Sequence, residues 1–387
     1  MRQETFTLSQ KELQRVSVIS ACIKGDMACA RAAGLLCLSV RQVKRLKKRM
    51  REEGEAALAH ANRGRPSPRR LRDAVRQRIV QLSRGTYAGF NDHHLQEKLV
   101  EYEGFSLSRE TLRRLLRQHG LASPRKRRAP AHRQRRLRSA RLGELVQLDG
   151  SPHDWLEGRG PRLTALGMQD DATGKILAAQ FFPSETTFGY LCLLKQMLRR
   201  HGVPLAFYGD HSGIFVRNDD LWTVEEQLVG KRQPTQFGRA LEQLGVTFIA
   251  ANSPQAKGRV ERLWGVLQDR LTSELRLAQA ADIDSANAVL RKFIADYNRR
   301  FARKPREMET AWRSAPETLE RICCFVHERI VSNDNVVQWD GRCFQIPQQA
   351  RRYSFAGAKV QIYQALDGRV SFYYGETRLE HAAIQGG

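Results

Sequence analysis

The chain has no apolar run approaching the ~20 residues that a membrane-spanning helix needs. Its first ten residues are polar and carry no export-signal core. The expected location is therefore cytoplasmic, close to the nucleoid, with no membrane partner. Cysteine is sparse: Cys22, Cys29, Cys37, Cys192, Cys323, Cys324 and Cys343 contain no Cys-x-x-Cys pair. That pattern argues against zinc fingers and a disulfide framework, and reads as buried, reduced thiols. His93-His94 lacks a partner at metal-ligand spacing and reads as surface polar residues. Acid is also in deficit. Asp and Glu number 41 against 65 Lys and Arg, a net charge of +24. Such an excess calls for a polyanionic partner, and without a membrane segment nucleic acid is the leading candidate. The 387 residues exceed one ordinary core and suggest about two to four domains.

What is present begins with two similar modules. In residues 1–58, Ser9 and Glu12 form a capping box ahead of Leu13, Val16, Ile19 and Ile23 at helical spacing. A short Ala-rich helix over 27–33 follows, then Gly34 as the turn. Ser39 opens a third helix with Val40, Val43, Leu46 and Met50 on one face and basic residues elsewhere. This is a helix-turn-helix pattern. Arg41, Gln42, Lys44 and Arg45 are the expected base or phosphate contacts. Residues 59–70 form a linker. Its Arg63-Gly64-Arg65-Pro66 run suits either a minor-groove contact or a plain connector. Residues 71–122 repeat the design. Leu71, Val75, Ile79 and Leu82 give one stripe, Leu95, Leu99 and Tyr102 a second. Ser108 then opens a helix with Leu112, Leu115 and Leu116 inside. Arg109, Arg113 and Arg114 lie outside as further expected DNA contacts. Residues 123–141 form a basic arm. Arg125, Lys126, Arg127 and Arg128 would track phosphates there.

At residue 142 the pattern turns to alternating apolar positions. Strands are expected over 145–149, 162–169 and 175–182, and a helix over 186–200. A strand over 204–208 runs into Asp210. A helix over 237–244, a strand over 246–250 and a long helix over 253–275 complete residues 142–303. Three acids punctuate this order. Asp149 lies on the first strand, Asp210 just after the fourth, and Glu261 on the last helix beside Lys257. Phosphodiester transfer needs an attacking oxygen activated and a leaving oxygen stabilised in line. Two Mg²⁺ ions on oxygen ligands do both. Asp149 would bridge the ions, Asp210 and Glu261 would each complete one site, and Lys257 would hold a phosphate. Mn²⁺ would substitute for Mg²⁺.

The runs Val146-Gln147-Leu148-Asp149-Gly150-Ser151, Tyr208-Gly209-Asp210 and Asn252-Ser253-Pro254-Gln255-Ala256-Lys257-Gly258-Arg259-Val260-Glu261-Arg262 resemble those of ISNCY-type insertion-sequence transposases, within the DDE transposases and integrases. His211 and Trp264 stand where that family more usually has a basic and a small polar residue. The resemblance implies an RNase H-like mixed-sheet core with Asp149, Asp210 and Glu261 as catalytic metal ligands. It also implies double-stranded DNA partners, both transposon ends and target, and a homo-oligomer assembled on DNA.

Residues 285–301 read as an amphipathic helix. Residues 326–387 show short alternating strands with turns at Asp340-Gly341 and Asp367-Gly368, which suggest a small β-barrel. The expected class is thus multidomain α and α/β, with tandem helix-turn-helix modules ahead of the core. Two other activities remain open on the sequence: a DNA-binding regulator with a silent core, and a structure-specific nuclease.

Overall fold

A computed structural model describes residues 8–59, 70–122, 136–219, 221–251, 258–349 and 352–384. The chain divides into two compact units, Met1–Arg76 and Gln77–Gly387.

The first unit holds α1 (Gln10–Lys24), α2 (Cys29–Leu36) and α3 (Val40–Glu53). The Ser9 amide donates to the Glu12 carboxylate at 2.8 Å, so the capping box forms. Ser39 accepts from the Gln42 amide at 3.2 Å and starts α3. Ile19, Cys22, Ala32, Ala33, Val43 and Leu58 make the core. Two details differ from the sequence reading. α2 runs through Gly34, and the turn falls on Cys37, at φ 51°. Leu13, at helical spacing with the core residues, is 54% exposed.

A second three-helix module follows, with α4 (Asp73–Arg84) starting just before the second unit and α5 (Asp92–Glu101) and α6 (Arg109–Gln118) inside it. Asn91 caps α5 through the amides of His93 and His94, and Ser108 caps α6 through that of Thr111. Leu112, Leu115 and Leu116 are buried as the pattern requires. Tyr102, read as part of the stripe, is 66% exposed.

The central sheet contains β1 (Leu145–His153), β2 (Leu163–Asp170), β3 (Ile176–Phe182), β4 (Ala206–Gly209) and β5 (Thr247–Ala250), in the order β3-β2-β1-β4-β5. β1, β2 and β3 pair antiparallel, whereas β4 and β5 run parallel to β1. That is the RNase H-like arrangement. Helices α7 (Thr187–His201) and α9 (Gln236–Gln243) cover one face with the core of Val146, Leu148, Leu166 and Tyr190. Helices α10 (Val260–Leu277) and α11 (Ile283–Phe301) cover the other, around Trp155, Phe181 and Trp264. A short α8 (Val224–Val229) lies between β4 and α9. The helix expected over 253–275 starts at Val260 and runs to Leu277, because Gly258 and Arg259 form a turn ahead of it; residues 252–257 lie outside the described ones.

The free edge of β3 is closed by side chains. Asn298 pairs with both backbone groups of Ile176 at 2.8 Å, and Asn287 with those of Phe181 at 2.8 and 3.2 Å. The match is geometric. Eleven helical residues span about 16.5 Å, as do five strand residues. Unpaired edge groups invite pairing with other chains, and α11 removes two such positions.

The C-terminal strands form two antiparallel sheets. β6 (Phe325–Ile330), β9 (Lys359–Gln364), β10 (Val370–Tyr374) and β11 (Thr377–Leu379) make one. β7 (Val336–Trp339), β8 (Arg342–Gln345) and β12 (Ala382–Ile384) make the other. They share a core of Val337, Phe344, Val360, Ile362 and Phe372. The described residues thus form two sheets over one core, where the alternation suggested a single closed barrel. The Asp340-Gly341 turn forms, with both residues at positive φ, as a two-residue hairpin requires.

Candidate active site

Register relates the strands that lead to the first two acids. β1 and β4 pair Leu145 with Ala206, Val146 with Phe207 and Gln147 with Tyr208, a constant offset of 61. Asp149 and Asp210 keep the same offset, two residues beyond the last paired residues. Parallel neighbours in register point to the same side of a sheet, about 4.8 Å apart. Both acids are half-buried. Ser212 donates its amide to Asp210 Oδ1 at 3.0 Å, which turns the chain away after β4.

The third acid comes from a seam between α10 and β1. The Val260 amide donates to Gln147 Oε1 at 3.2 Å, Trp264 Nε1 to Asp149 Oδ2 at 3.0 Å, and Gln268 Nε2 to Ser151 Oγ at 3.1 Å. Steps of four on the helix match steps of two on the strand, about 6 Å against 6.6 Å. Glu261, in the first turn of α10 and exposed, stands three residues before Trp264 on this side of the helix. Among the described residues no three His, Cys, Asp or Glu side chains are grouped closely enough to hold one ion. The β1–β4 register therefore leads toward Asp149 and Asp210 at matching positions, and Glu261 lies in the first turn of α10.

A fourth carboxylate lies nearby. A Cβ placed on Gly150 would fall 2.5 Å from Glu185 Oε2, so glycine at 150 leaves room for that carboxylate. Tyr190 donates its hydroxyl to Glu185 Oε1 at 2.6 Å. Burial pushes the Tyr190 pKa up, and Glu185, Asp149 and Asp210 push it further, so the phenol stays protonated as a donor. No local sequence signal pointed to Glu185. For Trp264 the signal was only its place one turn after Glu261.

Asp171 ties the end of the basic arm to this site. It is fully buried and accepts from Arg136 at 2.5 Å, from the Ser139 amide at 2.8 Å and from Gln147 at 2.5 Å. Arg259, immediately before α10, pairs with the same carboxylate. Burial raises its pKa, but these partners together hold it below the ordinary value.

Of the pair read as surface residues, His93 is exposed as expected and His94 is not. His94 is 2% exposed and its Nε2 lies 2.6 Å from Glu274, while His93 lies 2.7 Å from Glu97. The reason is docking of the second module on α10 and α11. Lys98 also reaches Glu274 at 2.8 Å, and Arg270 and Arg300 reach Glu97 at 2.7 and 2.9 Å. His153 is exposed, and Asp154 caps a turn by accepting from Gly158 at 3.2 Å. The cysteines are free; Cys22, Cys323 and Cys324 are buried as expected, whereas Cys29, Cys192 and Cys343 are only partly buried and Cys37 is exposed.

The proposed DNA contacts divide similarly. Arg41, Gln42, Lys44 and Arg45 are exposed on α3. Arg109, Arg113 and Arg114 are exposed on α6, but Arg113 is held in a bidentate pair by Glu110 at 2.9 Å. Arg125, Lys126, Arg127, Arg128 and Lys257 lie outside the described residues. No described helix is long and apolar enough to cross a membrane.

Comparison with known proteins agrees with this layout. A family model described as a homeodomain-like domain matches residues 42–116, and one described as a helix-turn-helix domain matches 14–67. The y4bF protein of Sinorhizobium fredii, named as a transposase, is 38% identical over 98% of this chain and 84% of its own. The transposase for insertion sequence IS1202 of Streptococcus pneumoniae is 31% identical over 96% of this chain and 87% of its own. Among solved structures, the HTLV-2 integrase catalytic core in complex with magnesium aligns over 40% of this chain and 86% of that one, at 16% identity and TM-score 0.28. A simian T-cell lymphotropic virus intasome chain aligns over 79% and 98%, at 13% identity and TM-score 0.32. On the two full-length relatives, the chain belongs to the insertion-sequence transposases.

Proposed function

We propose that this transposase binds the terminal inverted repeats of its insertion sequence, cuts the DNA there, and joins the freed ends to target DNA. The observation that carries the reading is the parallel register of β1 and β4, which lead to Asp149 and Asp210, with α10 stitched to β1 and carrying Glu261. Basic helix-turn-helix modules precede an acidic centre in the chain, which suits a polyanionic substrate whose reacting phosphate would sit on cations.

The donor set is oxygen only, which fits a hard divalent cation such as Mg²⁺, with Mn²⁺ as substitute. Asp149, Asp210 and Glu261 would hold two such ions. When bound, the metal would activate the attacking oxygen and stabilise the leaving one. The protein's own groups prepare this centre. Trp264 orients Asp149 without adding charge, and Tyr190 holds Glu185 beside Gly150. Lys257 would bind a phosphate next to Glu261. α3 of the first module would enter the major groove with Arg41, Gln42, Lys44 and Arg45, and the second module would add Arg109, Arg113 and Arg114. The arm residues Arg125, Lys126, Arg127 and Arg128 would follow the backbone toward the core. A homo-oligomer would bring two ends together.

The test is to footprint the protein on the ends of its element and map strand cuts on the same DNA. A protected sequence at each end with cuts at its border supports the reading. Protection without cuts in any metal favours a silent regulator. Cuts that follow branched structure and ignore sequence favour a nuclease.

A further inference from the structure

We infer that Trp264 is a positioning residue for the first acid, setting the orientation in which Asp149 receives metal. This rests on the metal-dependent reading above.

Trp264 Nε1 lies 3.0 Å from Asp149 Oδ2, an ordinary N–H···O length. The donor is neutral and has no acceptor capacity. It therefore fixes one carboxylate oxygen without cancelling the charge that a cation needs. A Lys or Arg in that place would compete with the metal for the same acid.

The indole itself is locked. It is 5% exposed and packs edge-on against Trp155, ring centres 6.5 Å apart. Its slot is cut by a glycine. Gly167 is the residue paired with Asp149 across β1 and β2, and a Cβ there would lie 3.0 Å from Trp264 Cη2. Thus the missing side chain opposite the acid is the space that the ring fills. Trp264 is also the middle stitch of the α10 seam, so the helix that bears Glu261 is referenced to Asp149 through this bond. Hydrogen-bond partners of metal ligands commonly alter metal affinity by about 10–100-fold when removed.

The experiment uses the full chain, labelled with ¹⁵N-tryptophan, and Mn²⁺ alone as probe. Five indole signals are available, and Trp264→Phe assigns one while keeping the ring in its slot. In metal-free protein, Asp149→Asn should shift that signal. Mn²⁺ should broaden it before the other four. Trp264→Phe should weaken Mn²⁺ binding about tenfold, read from the free-ion electron resonance signal, with the thermal midpoint checking that it folds. Gly167→Ala, which crowds the ring from above, should weaken binding in the same direction. Native Mn²⁺ affinity in a folded Trp264→Phe protein overturns the inference, as does an indole signal indifferent to Asp149→Asn. Native protein that binds no Mn²⁺ through Asp149 overturns the metal reading itself. That case is distinguished because the metal-free indole shift would persist.

Discussion

Glu274 on α10 lies 2.6 Å from the buried Nε2 of His94 on α5, and the two are 180 residues apart in the chain. This bond and that of Lys98 to the same carboxylate make the second helix-turn-helix module and the catalytic core one packed body. Burial raises the Glu274 pKa, but His94 and Lys98 outweigh it and hold the group below its ordinary value. A carboxyl lowered by folding stabilises in full above its unfolded pKa, and that contribution is lost as pH falls through the folded value. Glu274→Gln should cost about 2 kcal/mol at neutral pH. It should also flatten the loss of stability on acidification below about pH 4.5. Denaturant unfolding of both proteins between pH 7 and 3 measures this. Identical slopes would show that the junction carries no linked proton.

Asp171 should be among the least replaceable acids outside the centre. Asp171→Ala leaves Arg259, the Ser139 amide and Gln147 without their shared acceptor. Breaking a buried pair by removing one partner costs about 3–5 kcal/mol. Asp171→Asn, which keeps part of the hydrogen bonding, should cost less. Hydrogen exchange should quicken at residues 136–139 and 258–262 together, since one carboxylate holds both.

Gly150 and Glu185 should show coupling in a double-mutant cycle. Gly150→Ala forces the Glu185 carboxylate to move, and overpacking of this kind costs about 1–3 kcal/mol. Glu185→Ala in the same chain should recover much of that loss. Additive effects, within about 0.5 kcal/mol, would mean that the two residues do not meet in solution.

The DNA modules should respond unequally to charge removal. Arg41→Ala and Arg45→Ala remove exposed cations from α3. Each should lower affinity and, where it meets phosphate, reduce the salt dependence by about 0.9 in log–log slope. Arg113→Ala should do less, because Glu110 already occupies that guanidinium. Glu110→Ala should instead tighten binding. Titrations at several salt concentrations separate these cases.

Local pattern carried much of this structure. The capping residues Ser9, Ser39 and Ser108, the apolar stripes behind them and the Asp340-Gly341 turn all act within a few residues, so the sequence displays them. The adjacency of the first and fourth strands, which carry or precede Asp149 and Asp210, was legible too, because the order of the elements implied it. What was hidden depends on contacts across long separations. His94 looks like a surface residue until α10 covers it. Glu185 gains meaning only from the empty space at Gly150, and Trp264 only from Gly167 on a neighbouring strand. The turn at Cys37 escaped for another reason: Gly34, the better turn former, lies inside the helix, and a non-glycine residue adopts the left-handed backbone.

The central claim is that the paired acids cut DNA through divalent metal. Its most direct test is single-turnover nicking of labelled end DNA by native protein, Asp149→Asn and Asp210→Asn, each in Mg²⁺ and in chelator. Native protein should nick only with metal. Both variants should lose at least about a thousandfold in rate, roughly 4 kcal/mol of barrier, while binding the DNA as native does. Nicking that survives either substitution, or proceeds in chelator, would contradict the account.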